Sequence, residues 1–484
     1  MGLNTEHRTL NTCCFLLGLA VALTASLVTA QSNAPLTLRE VNKRIVAAWH
    51  ERDLALARAN KVLFVRPGLV ADRDARAVRV YGESNALKPG DPVEFLLIAE
   101  NSGKDYESRA IAFALPSDVC KALEFIGLKS GAPADANALR FWPRGERVKV
   151  TLDLLTTNGT ATALGRAEAT VFDTRTNKPL PEVGFAFCGG RWTTEANGAA
   201  ASTARVYAAD VYSPNSIVSV YNEGNTVLDV PRRAAQQEVY TFQVPTPERS
   251  LPAGGLVQFT FTPEFSDGAA RLVDWTVHLG SASNGIPLLT VNELPDKTIL
   301  TRQPATALAT ATKEAVAAGR EPYAVIVPDD TIELGTLRTA CADIEALEDA
   351  AGLRIEPPPS EQPYYKAFLP NEKFRDRANR PMQPFELSLA AAGTGATGVL
   401  TLATEDWKPG ASTPTYHDTT WPVASPQDLA APFSQKDAPS VLLVFAPRQL
   451  TYGQLRPYAS VAVDRKMILF VFTNDDQTKD RRNR

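Results

Sequence analysis

The chain has 484 residues and a formal net charge of −4, with 44% hydrophobic and 21% charged residues. This length has room for about three globular domains of ~150 residues each. The near-neutral charge balance argues against a nucleic-acid partner, because such partners generally require a basic face on the protein.

Residues 1–30 have the pattern of a secretory signal peptide. A short polar start precedes the apolar run "CCFLLGLAVALTASLVTA", and Val28 and Ala30 suit a cleavage site before Gln31. An uncleaved membrane anchor is the alternative, although 18 residues is short for a membrane span. We therefore predict a periplasmic or secreted protein with no membrane span in the mature chain.

Three cysteines remain after cleavage, Cys120, Cys188 and Cys341. They are too few for a disulfide framework. An oxidising compartment would allow a bridge between Cys120 and Cys188, and the alternative is that both are small buried side chains. The chain has no CxxC pair, so we expect no zinc or iron–sulfur cluster held by cysteines, and we predict neither a metal nor a cofactor.

An amphipathic helix is predicted over residues 36–61, where apolar residues recur every three or four positions. It would dock on the following domain or on a partner. From residue 62 to residue 285 the chain has short β-rich runs separated by turn signals such as "KPGD" and "NSGKD", with a helix at "SDVCKALEFIG". The strands "LVQFTFTP" and "ARLVDWTVHLG" extend this β-rich domain at its end.

Part of this region resembles a known domain. The stretch "VEFLLIAENSGKDYESRAIAFALPSDVCKALEFIGL", followed by "GFAFCGGRW" and "TVLDVP", is similar to the YdjY-like domain of exported bacterial proteins over about residues 62–250. The resemblance implies export but no established activity. Tyr106 stands where a histidine would be expected from the family pattern, so the resemblance does not imply a metal site in that turn.

The remaining chain changes to an alternation of strands and helices. Residues 286–357 and 385–475 are each predicted to form strand, helix, apolar strand, helix and strand. A proline-rich linker, 358–384, separates the two units, and a polar tail, 476–484, follows the second. The predicted fold class is multi-domain α+β, with a β-rich N-terminal domain followed by two small α/β modules.

The two modules contain an internal repeat. "AVIVPDDTIELGTL" aligns with "LLVFAPRQLTYGQL" at an offset of 118 residues, which places Gly335 over Gly453. The acidic pair Asp329 and Asp330 occurs only in the first copy. Both units resemble the periplasmic domain of the ExbD/TolR family, over about 292–357 and 384–475. That family has a transmembrane aspartate just before this domain, and this chain does not, so the resemblance implies no proton conduction.

Motifs of the common enzyme classes are missing from the sequence. "GTGATG" at 393–398 precedes a β-rich run rather than a helix, which favours a hairpin over a dinucleotide site. His50, His278 and His417 lie outside any HExxH motif, and the chain has neither GxSxG nor a P-loop. A triad can still assemble from distant residues, but we predict no catalytic residue.

Two short segments provide candidate ligand-binding residues. Lys104, Tyr106 and Glu107 cluster in "GKDYE", and Arg191 and Trp192 follow in "GGRW". A cation, a carboxylate and aromatic rings would suit a polar ligand such as a peptide or a glycan. Neighbouring Glu94 and Glu100 would share one face of an unbroken strand.

These patterns predict an exported, non-catalytic binding or scaffold protein of the cell envelope, with a protein or peptide as its partner. Sheet edges of the α/β modules could accept an extended peptide. One alternative is a regulatory partner of an ExbB/ExbD-type transport motor. Another is a hydrolase or oxidoreductase that uses the YdjY-like domain, which a pocket containing carboxylates and His278 would favour.

Overall fold

A computed structural model describes residues 35–194, 205–359, 361–409 and 414–474. The predicted signal peptide and the predicted polar tail lie outside these ranges. The chain has a multi-domain α+β fold, in which an eight-stranded barrel precedes two mixed five-stranded sheets. No helix in the described ranges has the length and hydropathy needed to cross a bilayer.

The secondary structure elements are named here in chain order. The α-helices are α1 (Leu38–Ala59), α2 (Pro116–Phe125), α3 (Ala208–Val211), α4 (Gln236–Phe242), α5 (Gly268–Arg271), α6 (Ala305–Ala317), α7 (Leu334–Ala350), α8 (Ala430–Phe433) and α9 (Tyr452–Asp464). The strands of the N-terminal region are β1 (Leu63–Arg66), β2 (Leu69–Asp72), β3 (Ala77–Ser84), β4 (Phe95–Ala99), β5 (Ser108–Ala112), β6 (Arg147–Leu155), β7 (Ala161–Arg166), β8 (Val171–Asp173), β9 (Lys178–Pro179), β10 (Phe185–Phe187), β11 (Trp192–Thr193), β12 (Val206–Tyr207), β13 (Ser216–Ser219), β14 (Leu228–Asp229), β15 (Gln243–Pro245) and β16 (Leu256–Pro263). The strands of the two following sheets are β17 (Leu272–Ser281), β18 (Pro287–Glu293), β19 (Lys297–Gln303), β20 (Glu321–Pro328), β21 (Arg354–Ile355), β22 (Phe385–Ala392), β23 (Gly395–Asp406), β24 (Thr415–Val423), β25 (Val441–Pro447) and β26 (Ile468–Asn474).

The barrel closes because its last strand pairs with its first. Its order is β3, β16, β6, β10, β14, β13, β4 and β5, and β5 then pairs with β3. Alternation in β6 buries Val148, Val150 and Leu152 completely, while Lys149 and Thr151 between them are partly exposed. Closure leaves these strands without a free edge and encloses a core of aliphatic and aromatic side chains.

Helix α1 docks on the outside of the barrel. Thr37 and Glu40 form a reciprocal capping box at its first turn. Asn42 donates a hydrogen bond to the buried Glu83 carboxylate (3.1 Å), and the rings of Trp49 and Tyr81 lie 5.2 Å apart. The predicted amphipathic helix therefore covers the barrel through both polar and aromatic contacts.

The two C-terminal modules have the same topology. The first sheet has the order β19-β18-β17-β20-β21, and the second has the order β24-β23-β22-β25-β26. In each, the central strand pairs antiparallel with the next strand and parallel with the strand that follows the first helical segment. The glycine-rich "GTGATG" begins in the tight turn between β22 and β23, so it belongs to a hairpin as predicted.

The start of the first module differs from the prediction. The sequence places "ARLVDWTVHLG" at the end of the β-rich domain, whereas β17 is the central strand of the first module and pairs with β20 along its length. The first sheet therefore begins at Leu272 rather than after residue 285. Alternation alone cannot distinguish a last barrel strand from a first strand of a new sheet, because the parallel partner lies far along the chain.

The predicted linker 358–384 is also packed rather than free. A 3₁₀ turn spans Tyr365–Phe368, and the rings of Tyr364, Tyr365 and Phe368 are buried. The Phe368 ring lies 6.1 Å from that of Tyr452 in α9. One hydrophobic core therefore extends through both modules and this connecting segment. Proline and charge dominate the local composition, but the aromatic residues determine where the segment lies.

Candidate functional site

The predicted turn at Lys104 brings its three candidate residues together. It is a 3₁₀ turn over Asp105–Glu107, between β4 and β5. Lys104 Nζ lies 2.7 Å from Glu107 Oε1 and 3.2 Å from the Tyr106 hydroxyl oxygen. The hydrogen bond to Glu107 raises the pKa of Lys104 above its usual range. Tyr106 is exposed, but Glu107 is 1% exposed, so its carboxylate serves the ion pair rather than a surface.

Glu107 also pairs with a second buried acid, Glu94. The Glu94 amide donates to the Glu107 carbonyl (2.9 Å), and Gln236 Nε2 donates to the Glu94 carboxylate (3.0 Å). Burial raises the pKa of Glu94, and the neighbouring charge of Glu107 adds to this rise. Glu100, the predicted strand neighbour, instead binds Lys43 of α1 at 2.9 Å. The acid pair therefore forms across two strands and not along one.

Arg191 and Trp192 belong to a separate part of the barrel region. Trp192 is in β11, which pairs with β12, and its ring meets the Tyr207 ring edge-on at 5.3 Å. Both residues are exposed. Among the described residues, no hydrogen bond, ion pair or ring contact joins them to the Lys104 turn. The five candidates thus form two groups.

The two barrel cysteines are free and buried. Cys188 Sγ lies 3.4 Å from the Ala186 carbonyl oxygen, and Cys120 Sγ lies 3.7 Å from the Gly189 carbonyl oxygen. Burial raises the pKa of Cys120 to about 12 and also raises that of Cys188. The structure thus contains no Cys120–Cys188 disulfide. Both cysteines are small buried side chains, which was the alternative prediction. Protonated thiols of this kind are poor nucleophiles.

Two further barrel acids are buried without having been singled out from the sequence. Asp229 is fully buried, with Asn222 Nδ2 3.3 Å from its Oδ1 atom and no hydrogen-bond partner for Oδ2 among the described residues. Glu223 accepts a hydrogen bond from the Asn225 amide at 3.0 Å. Burial raises the pKa of Glu223 to about 7 and that of Asp229 well above its usual value. Their segment, "YNEGNTVLDVP", is rich in turn residues, a pattern typical of solvated acids.

The histidines lie apart from these acids. His278 lies in β17 of the first module, and His417 lies in β24, 3.8 Å from the Asp406 carboxylate. His50 lies in α1. Within the described residues, no three side chains of His, Cys, Asp or Glu are arranged to hold a metal ion.

The repeated segment forms the joint between the two modules. A bridge pairs Glu333 with Thr451, and backbone hydrogen bonds on both sides of it are reciprocal under the 118-residue offset. These bonds are Leu334 N to Leu450 O (2.8 Å), Tyr452 N to Ile332 O (2.8 Å), Gly335 N to Arg448 O (2.9 Å) and Gly453 N to Asp330 O (2.8 Å). The two copies thus meet as the subunits of a two-fold dimer do, within one chain.

Close backbone approach explains the glycine in both copies. A Cβ atom on Gly453 would lie 2.8 Å from the Asp330 Cβ, and one on Gly335 would lie 3.0 Å from Arg448 Nε. Both glycines lie in the first turn of the following helix, α7 or α9. The feature common to both copies is therefore a packing requirement of the joint.

The side chains around the joint are not symmetric. Arg456 binds the Asp330 carboxylate at 2.9 Å. Its counterpart in the first copy, Arg338, would face Arg448 in place of an acid, and it binds Glu372 of the connecting segment at 2.6 Å. The acidic residue of the first copy thus completes an ion pair that the second copy cannot form.

The outer strands of the two sheets differ as well. Strand β24 pairs with β23 continuously from Thr415 to Val423, and most of its residues are exposed. Strand β19 pairs with β18 through two register shifts, and Arg302 has a positive φ of 47°. In the described part of the chain, no strand pairs with the outer side of either strand.

Comparison with models of known protein families and with curated proteins gives no match. The relation between the two modules therefore rests on their shared strand order and on the reciprocal joint. The resemblances to the YdjY-like domain and to the ExbD/TolR domain remain predictions from the sequence.

Proposed function

We propose that the protein is an exported, non-catalytic binding or scaffold protein of the cell envelope, and that β24 is the edge to which an extended peptide partner adds. The observation that carries the proposal is the nine-residue, continuously paired edge strand β24. An open edge offers a row of backbone donors and acceptors to an added strand.

The register of β24 indicates which backbone groups point outward. Pro422 has no N–H and lies within the paired stretch opposite Val399. Proline in a sheet is tolerated where its nitrogen faces away from the neighbouring strand. Because alternate residues of an antiparallel strand point to the same side, Thr420, Asp418 and Tyr416 also direct their N–H and C=O groups outward. These three residues would bind the peptide backbone.

The other edges are less suited to an added strand. Strand β19 is interrupted by its register shifts and carries Lys297 and Arg302, and charges and bulges discourage strand addition. Strand β21 has two residues. At the far edge of the second sheet, Arg375 of the connecting segment donates to the Thr473 carbonyl at 3.3 Å and so covers part of β26.

The chemistry of the barrel supports a non-catalytic role. Its acids Glu94 and Glu107 are each 1% exposed, and its two thiols are buried, which raises the pKa of both. His278, which an enzymatic hypothesis would place with these carboxylates, lies in the first module. No specific observation favours the hydrolase, the oxidoreductase or the motor-partner alternative over binding.

A peptide selection with edge variants tests the proposal. A displayed library of random peptides is selected on the full-length protein, and the Kd of each selected peptide is then measured for Thr420→Pro. The variant removes one outward donor and places a proline ring in the path of the added strand, so we expect binding to weaken about tenfold or more with little change in thermal stability.

The neighbouring variant Thr419→Pro is the matched control. Its N–H points toward β23, so we expect it to lower the melting temperature through the loss of a ladder hydrogen bond. Peptides that bind wild type and Thr420→Pro equally well would refute the proposal. So would a selection that yields no peptide specific for the wild-type protein.

A further inference from the structure

A cavity of about 300 Å³ lies where the barrel meets the first module. Its apolar part is formed by Leu180, Phe185 and Val230 of the barrel region. Its polar part contains three guanidinium groups, those of Arg147 and Arg232 from the barrel region and of Arg354 from β21. The volume is at the lower end of the range for small-molecule sites.

Two of these arginines share one carboxylate. Arg147 donates to both oxygens of Glu321, at 2.8 and 3.1 Å, and Arg354 Nη1 lies 3.4 Å from the same carboxylate. Arg147 Nη1 is buried and makes no hydrogen bond within the described residues, and the buried Arg354 Nη1 has only its ion pair with Glu321 and no hydrogen bond. One carboxylate thus leaves this pair of guanidiniums with excess positive charge and unused donors.

The third arginine adds to this excess. Arg232 makes no side-chain hydrogen bond or ion pair with any described residue, and burial lowers its pKa. Glu168 also lines the cavity, but Arg166 binds its carboxylate at 2.7 Å and the Gly184 amide donates to it at 3.0 Å. The carboxylates that attract Arg232, those of Asp173 and Glu238, lie outside the cavity wall and form no ion pair with it.

We propose that this cavity binds a small free carboxylic acid, with its carboxylate at the three arginines and an apolar body against Leu180, Phe185 and Val230. Guanidinium groups match carboxylates in geometry and form charge-assisted hydrogen bonds with them. The buried Nη1 atoms of Arg147 and Arg354 have no hydrogen-bond partner among the described residues, which is costly, and an anionic ligand would relieve that cost. The site lies apart from β24, so this proposal is independent of the proposed peptide edge.

Calorimetric titration of the full-length protein with matched acids and amides tests the site. The pairs are hexanoate with hexanamide and 4-phenylbutyrate with its amide, which differ mainly in charge. We expect at least one acid to bind with a Kd in the micromolar to millimolar range, and its amide to bind at least about tenfold more weakly.

Two variants connect the binding to the cavity. Arg232→Gln removes a guanidinium that makes no hydrogen bond or ion pair with a described residue, so the fold should persist while the acid binds about tenfold more weakly. Arg44→Gln makes the same change of charge on exposed α1 and should leave the Kd unchanged. The proposal is overturned if acids and amides bind alike, if no pair binds at millimolar concentrations, or if Arg232→Gln has no effect on the Kd.

Discussion

The two modules share a strand order and a joint, but they differ in what surrounds them. The first module is fixed to the barrel region by partly buried ion pairs, in which Arg147 binds Glu321 at 2.8 Å and Arg140 binds Glu356 at 3.2 Å. The second module packs against the connecting segment, where Arg377 binds Glu386 at 2.9 Å. The repeat therefore conserves the contact between copies within this chain, while the outer contacts are specific to each copy.

The outer strands show the same division. Strand β19 of the first module is interrupted and charged, whereas β24 of the second is long and regular. One copy thus connects the sheets to the barrel, and the other displays an edge. The residues common to both copies form the joint between the modules. The two copies can therefore share a fold and still differ in function.

The largest effect is expected at the contact between the barrel and the first module. Glu321→Ala leaves Arg147 and Arg354 buried without their shared carboxylate, so the free energy of unfolding should fall by about 3–5 kcal/mol. Urea denaturation measures this change. Glu372→Ala is the matched control, because Glu372 also bridges two arginines but is half exposed, and about 1 kcal/mol or less is expected. Equal losses in the two variants would contradict the assigned role of the first module.

The joint offers a direct comparison between the copies. In Gly453→Ala the new methyl group meets Asp330 backbone and Cβ atoms, and a loss of about 1–3 kcal/mol is expected. In Gly335→Ala it meets the Arg448 side chain first, which can move, so the loss should be smaller. Thermal unfolding of both variants measures which of them loses more stability. A larger loss of stability in Gly335→Ala than in Gly453→Ala would contradict this explanation of the two glycines.

The stability contributed by the barrel and the stability contributed by its contact with the first module should depend on pH in opposite directions. Burial raises the pKa of Glu223 to about 7 from 4.5, so its contribution to stability is complete below pH 4.5 and is lost as the pH rises through 7. The pKa of Glu321 is lowered, since the charges of Arg147 and Arg354 outweigh the effect of burial. Its contribution is present above pH 4.5 and is lost as the pH falls.

Glu223→Gln should therefore raise stability above pH 7 relative to wild type, by about 1–3 kcal/mol, and flatten the loss between acidic and neutral pH. Denaturation at several pH values measures the effect. An unchanged pH profile would mean that Glu223 is not buried as a titrating group in solution.

The smallest effect is expected at the asymmetric ion pair of the joint. Asp330→Ala removes the partner of Arg456, but both side chains are about half exposed, at 57% and 43%. A change of about 0–1 kcal/mol is expected, and screening by salt should reduce it further. Urea denaturation at low and high salt gives the value. A loss as large as that of Gly453→Ala would mean that side chains, rather than the backbone, hold the copies together.

Local patterns predicted part of this structure well. Patterns among residues close in sequence predict α1, the β-rich N-terminal domain and the hairpin at "GTGATG", and comparison of two such patterns reveals the repeat. The contact of Lys104 with Glu107 is also between residues close in sequence. Other features could not be predicted in this way, because they arise from contacts that the barrel and the sheets create between distant residues. They are the place of β17 in the first module, the Glu94–Glu107 pair and the burial of Asp229. Such contacts leave no periodic signal in the sequence, and turn-rich segments around buried acids resemble solvated loops.

Backbone hydrogen exchange in the presence of a selected peptide tests the division between the two outer strands most directly. We predict that the amides of Tyr416, Asp418 and Thr420 exchange more slowly when the peptide is bound, while those of β19 are unaffected. Slower exchange along β19, or unchanged exchange at those three amides of β24 under saturating peptide, would contradict the account.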